Sequence, residues 1–176
     1  HGARRLRRPS RSIAPMRIGL ALPQYDYSVA GESPLRWETI VEHAQVAERA
    51  GFDSLWLSDH LFLDLAKYGG PATRFGTFEP VSTLAALARR VPRVRLGTLV
   101  LSAAFRHPAL IGKSATAIDA LSGGRLDLGL GAGWFEDEYR AFGYAFGTLG
   151  QRFDRLEETL GYLGALFGEE PATFDG

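Results

Sequence analysis

Apolar positions along this chain change their period several times, and those changes divide it into alternating strands and helices. Residues 16–23 (MRIGLALP) form a short apolar run closed by proline, the pattern of a buried strand. From Trp37 the period lengthens: Ile40, Val41, Ala44 and Ala47 share one helical face, and Gly51 stops the helix. Residues 54–58 (SLWLS) read as a second strand, with Asp59-His60 at its C-terminal end. A long connection, 59–79, carries two consecutive glycines and the aromatic residues Phe62, Tyr68, Phe75 and Phe78. Loops of this length in compact domains tend to serve function.

The alternation then repeats. A helix over 80–90 opens on Pro80, and 95–101 (RLGTLVL) is the third strand. A helix over 108–121, with Ile111, Ala115 and Ile118 on one face, is broken by Ser122-Gly123-Gly124. Residues 125–130 (RLDLGL) are the fourth strand. After a glycine-rich and then polar-aromatic stretch comes a helix over 151–167, with Phe153, Leu156, Leu160, Leu163 and Phe167 as its expected inner stripe.

Strands alternating with helices of this length imply parallel pairing through right-handed crossovers, hence an α/β fold. A doubly wound sheet and part of a (β/α)8 TIM barrel both fit. The barrel is favoured because each candidate functional residue directly follows a strand, the end at which barrel active sites are built. Four βα units are about half of such a barrel.

Composition narrows the chemistry. The chain has no cysteine, which removes disulfides, thiolate nucleophiles and zinc-thiolate sites and makes a cytoplasmic enzyme the expectation. No apolar run approaches the roughly 18–20 residues of a membrane helix. The formal charge of zero conceals five arginines between residues 4 and 11; without them 15 basic residues face 20 acidic ones. Residues 1–15 are therefore expected to be a disordered basic leader, with no nucleic-acid or membrane partner, ahead of a domain over 16–176 that begins at Met16, the single methionine.

Three groups could carry chemistry. In Asp59-His60, an imidazole at a strand end can handle a proton while the neighbouring carboxylate orients it; an N-capping aspartate beside a structural histidine is the plainer alternative. In Arg106-His107-Pro108, the arginine could hold a phosphate or carboxylate, or simply pair with a surface acid. Gly129, Gly131 and Gly133 would let backbone approach a ligand, although their spacing matches neither the Rossmann nor the Walker pattern. No metal-ligand spacing or serine-hydrolase elbow is present; a metal-assisted hydrolase using Asp59, His60 and His107 is the remote alternative.

Three segments together, GFDSLWLSDH (51–60), 93–139 and GQRFDRLEETL (150–160), resemble the luciferase-like monooxygenase superfamily, in particular its branch dependent on the deazaflavin F420. The resemblance implies a (β/α)8 barrel with F420, or alternatively FMN, in the C-terminal mouth. It implies that Asp59 and His60 lie at the reacting position, His60 as the proton-handling group. Leu99 and Val100, joined by a non-prolyl cis peptide, would back the cofactor ring. Arg106, His107, Gly131, Gly133, Trp134 and Glu138 complete the expected cofactor contacts. Arg152, Arg155 and Glu157 are expected to form a structural ion-pair cluster. The implied function is an oxidoreductase moving a hydride to or from a small organic substrate. The chain has about half the family's length, so it is expected to be the N-terminal half of the barrel, with activity incomplete. A homodimer is the expected assembly; a non-catalytic half-barrel that binds cofactor or pairs as a carrier or regulator is the alternative.

Overall fold

Leu20, Leu55, Leu96 and Leu126 lie side by side on four parallel strands. These belong to β1 (Gly19–Ala21), β2 (Ser54–Leu57), β3 (Arg95–Thr98) and β5 (Leu126–Asp127), in the spatial order β1-β2-β3-β5. The computed structural model describes residues 16–168 and 173; the leader expected over 1–15 lies outside the described residues. Consecutive strands are neighbours throughout. A doubly wound sheet would reverse direction at a switch point, so the order is that of the opening βα units of a TIM-type barrel.

Leu55 and Leu96 are wholly buried beneath the helices. Against them pack Ile40, Val41, Ala44 and Ala47 of α1 (Trp37–Ala50), Leu84 and Leu87 of α2 (Pro80–Leu87), and Ile118 of α3 (Pro108–Ser122). The apolar face expected for α1 is the buried one, and Gly51 ends it in the left-handed conformation at φ 89°. Pro80 and Pro108 occupy the first turns of α2 and α3, where the missing N–H costs nothing. On the opposite sheet face the Trp56 indole lies across its neighbours. A Cβ at Gly19 would come within 2.3 Å of Trp56 Nε1, and one at Gly97 within 2.3 Å of Trp56 Cζ3. Glycine on both flanking strands is thus what lets one large ring cover this face.

The structure departs from the sequence reading in several places. The third and fourth predicted strands each break in two: β4 (Leu101–Ser102) and β6 (Leu130–Gly131) form a separate parallel pair beyond β3 and β5. A short helix, α4 (Glu136–Phe142), occupies the stretch read as polar and aromatic. The final helix, α5 (Leu149–Leu166), begins two residues earlier than expected, because Thr148 and Gln151 form a reciprocal capping box. Its inner stripe is only partly inner. Leu163 is buried with Leu101 and Ile111, whereas Phe153, Leu160 and Phe167 are about half exposed, since α5 meets the rest of the chain along its α3 side.

The ion-pair cluster expected on α5 is also absent among the described residues. Arg152 lies over the Phe146 ring at 3.9 Å and donates to the Gly147 carbonyl, and Arg155 donates to the Ala145 carbonyl. Backbone carbonyls of the preceding loop are nearer to these guanidinium groups than any carboxylate.

Candidate active site

The break in the third strand builds one wall of a cleft. The Leu99–Val100 peptide is cis, as the resemblance implied, and the chain is anchored on either side of it. Leu99 N donates to the Leu57 carbonyl at 2.7 Å and Leu101 N to the Gly129 carbonyl at 2.9 Å. Thr98 Oγ1 donates to that same carbonyl and accepts from Gly129 N. Between these anchors Leu99 and Val100 are 59% and 39% exposed, although both are apolar. Gly131 permits the arrangement, since a Cβ there would meet Val100 Cγ2 at 2.6 Å. Gly133, at φ 80°, is required twice over: a Cβ would fall 1.8 Å from the Tyr139 hydroxyl.

The cleft encloses about 130 Å³ at the C-terminal ends of the strands. His60 stands in it, with Nδ1 2.8 Å from Oε2 of Glu138, 78 positions away. The other Glu138 oxygen accepts from Leu61 N at 2.5 Å and Phe62 N at 3.1 Å, and its side chain is 2% exposed. A carboxylate so held makes Nδ1 the protonated nitrogen, leaving His60 Nε2 free to exchange a proton with a ligand. The imidazole meets Trp134 edge-on, centroids 5.7 Å apart.

Asp59 faces away from this exchange. Its carboxylate takes both Arg106 nitrogens, at 2.6 and 2.9 Å, and Ser102 N at 2.9 Å. Arg106 also reaches Glu79 at 2.7 Å, and Glu79 caps α2 through the amides of Val81 and Ser82. Burial by itself would raise the Glu79 carboxyl and lower the Arg106 guanidinium. The Ser82 amide and the charge pairing outweigh it, so Glu79 lies below the ordinary carboxylate range and Arg106 above its own. Two tyrosines complete the surroundings. Tyr25 shares a 2.6 Å hydrogen bond with Ser58, and Tyr139 one of 2.9 Å with Ser102; burial raises both phenols above their ordinary value.

Residues 16–176 match the luciferase-like monooxygenase family. The chain belongs to that family. It is 36% identical over 138 residues to the F420-dependent glucose-6-phosphate dehydrogenase of Amycolatopsis mediterranei, a match over 78% of this chain and 40% of that protein. Among solved structures, the monooxygenase RslO1 of Streptomyces bottropensis superposes with a TM-score of 0.67 at 30% identity, covering 92% of this chain and 46% of that one. An F420-dependent secondary alcohol dehydrogenase bound to an F420–acetone adduct gives 0.72 at 22% identity, covering 91% and 44%, and speaks for the fold. The chain thus spans about 40% of the length of the curated relatives it matches.

Within this luciferase-like half-barrel, Asp59, His60, Leu99, Val100, Gly131, Gly133, Trp134 and Glu138 all line the one cleft. Arg106 and His107 do not. Arg106 points into the Asp59–Glu79 cluster, and His107 caps α3 by accepting from Ala109 N at 3.1 Å. The carboxylate hydrogen-bonded to His60 is thus Glu138, expected as a cofactor contact, and not the adjacent Asp59, which pairs with Arg106. Asp59, His60 and His107 do not converge as a metal site would require. Sequence reasoning missed Ser58, Leu101, Ser102, Phe105, Phe135 and Tyr139 in the lining. All of these but Ser102 adjoin a residue that the sequence had singled out, as Ser58 adjoins Asp59 and Tyr139 adjoins Glu138.

Proposed function

We propose that this chain carries the proton-handling side of an F420-dependent oxidoreductase acting on a small organic substrate. The observation that carries the reading is His60, fixed by a buried glutamate, standing beside an apolar shelf at the strand ends. The lining suits a planar ring system. Leu99, Val100 and Trp134 present apolar surface to the cleft. FMN, which offers a ring of the same shape, is the alternative cofactor.

F420 supplies two-electron hydride transfer when bound. The chain's own residues do the rest. The Leu99–Val100 shelf and Trp134 orient the ring and exclude water from one face; His60 Nε2 holds or moves the proton at the substrate oxygen; Glu138 keeps the imidazole in the required tautomer. Glycine at 131 and 133 makes room for Val100 and the Tyr139 hydroxyl, which fixes the wall on which the ring would rest. A cytoplasmic homodimer is the assembly in keeping with this reading.

The cleft volume favours a second reading. About 130 Å³ is well below the roughly 300–1,000 Å³ of ordinary ligand pockets, which suits a half-barrel that binds cofactor or pairs without turnover. A parallel fluorescence titration of the chain with F420 and FMN separates the cases. Saturable F420 binding, weakened in Leu99→Asp, is expected. Saturation by FMN alone moves the protein to the flavin branch, and binding of neither removes the cofactor assignment.

A further inference from the structure

The loop between β2 and α2 brings a cation to the cleft. Lys67 stands on a 3-10 turn (Ala66–Tyr68) with its ammonium 3.9 Å from the centroid of the Trp134 ring. The turn is fixed at its start, where Asp64 accepts from Ala66 N at 3.0 Å, and at its end, where Gly69 closes it at φ 79°. Trp134 in turn touches His60 edge-on and lines the cleft. A single indole therefore separates this ammonium from the imidazole.

The charge on Lys67 is available. Arg106, the partly buried cation next to the cleft, is neutralised by Asp59 and Glu79, and Arg140 on α4 pairs with Glu136. No carboxylate among the described residues comes within ion-pair distance of Lys67. An aromatic face positions an exposed ammonium without neutralising it. The result is a positioned positive charge at the mouth, one ring away from the reacting side.

We propose that Lys67 reads an anionic substituent, a phosphate or carboxylate, on the molecule that occupies the His60 cleft. Calling that molecule a substrate rests on the oxidoreductase reading above; the anion preference itself does not. The same charge could be met by the substrate or by the phosphate of a cofactor tail.

Isothermal titration of the whole 176-residue chain with two matched pairs, glucose 6-phosphate against glucose and FMN against riboflavin, tests this. The phosphate-bearing member of one pair is expected to bind roughly three- to fivefold more tightly, as an exposed ion pair allows. Discrimination within the sugar pair assigns the anion to the substrate; discrimination within the flavin pair assigns it to the cofactor tail. Lys67→Met should abolish the preference and leave the neutral member unchanged, Lys67→Arg should retain it, and added salt should weaken it. A preference that survives in Lys67→Met, or no preference in the unaltered chain (no binding included), overturns the proposal. F420 binding that persists while the preference is absent removes this inference alone. A preference within the sugar pair with binding of neither F420 nor FMN removes the oxidoreductase reading alone.

Discussion

The sheet floor under the helices and the cleft at the strand ends are built from the same strands by opposite rules. Under the helices, Leu55 and Leu96 sit in unbroken register, wholly buried and interchangeable in kind with other aliphatic side chains. A few residues further along, the register breaks at Leu99–Val100, apolar groups turn towards solvent, and acids and bases are buried. The floor gains stability from apolar area removed from water. The cleft is stabilised by satisfied polar groups, whose main effect is to fix geometry. Stability and recognition are thus assigned to different lengths of the same strand.

The largest effect should come from the floor. Leu96→Ala is expected to cost about 3 kcal/mol, the range for truncating a fully buried leucine, read from the denaturant midpoint. It should leave the F420 affinity of the molecules that remain folded unchanged; a loss of binding out of proportion to the loss of folded protein would join the two regions.

At the cleft, Glu138→Gln keeps the shape and removes the charge beside His60, with an expected cost of about 1–2 kcal/mol. The sharper readout is the imidazole nitrogen spectrum, in which the Nδ1–H tautomer should give way to a mixture. An unchanged tautomer would mean that the cleft geometry, and not the carboxylate, orients His60.

The smallest effect concerns pH. The Glu79 carboxyl is depressed in the folded chain, so its contribution is full above the ordinary carboxylate pKa and is lost as pH falls through the lower folded value. Melting temperature followed downward from neutral pH should therefore fall less steeply in Glu79→Gln than in the unaltered chain. Identical slopes would show that protonation of Glu79 contributes nothing to the loss of stability in acid.

Much of the fold was legible because burial follows period. The α1 face of Ile40, Val41, Ala44 and Ala47 and the proline and glycine punctuation around the helices are local signals, and local energetics enforce them. The breaks in the third and fourth strands were invisible to periodicity, since 95–101 and 125–130 remain apolar through the break. The outward turn of Phe153 and Leu160 was hidden for a related reason: a helical stripe shows which side is apolar, not what packs against it.

The site divides along the same line. Sequence by itself determined the types of residue present, their places at strand ends, the glycines that permit close backbone approach, and, through resemblance, the Leu99–Val100 peptide. Only the tertiary structure decided who partners whom. It joined His60 to Glu138 across 78 positions, gave Asp59 to Arg106, and laid Lys67 on Trp134. A charged side chain has no preferred partner in the extended chain. Its choice is made when burial withdraws water and the nearest group of opposite charge becomes the only solvation left.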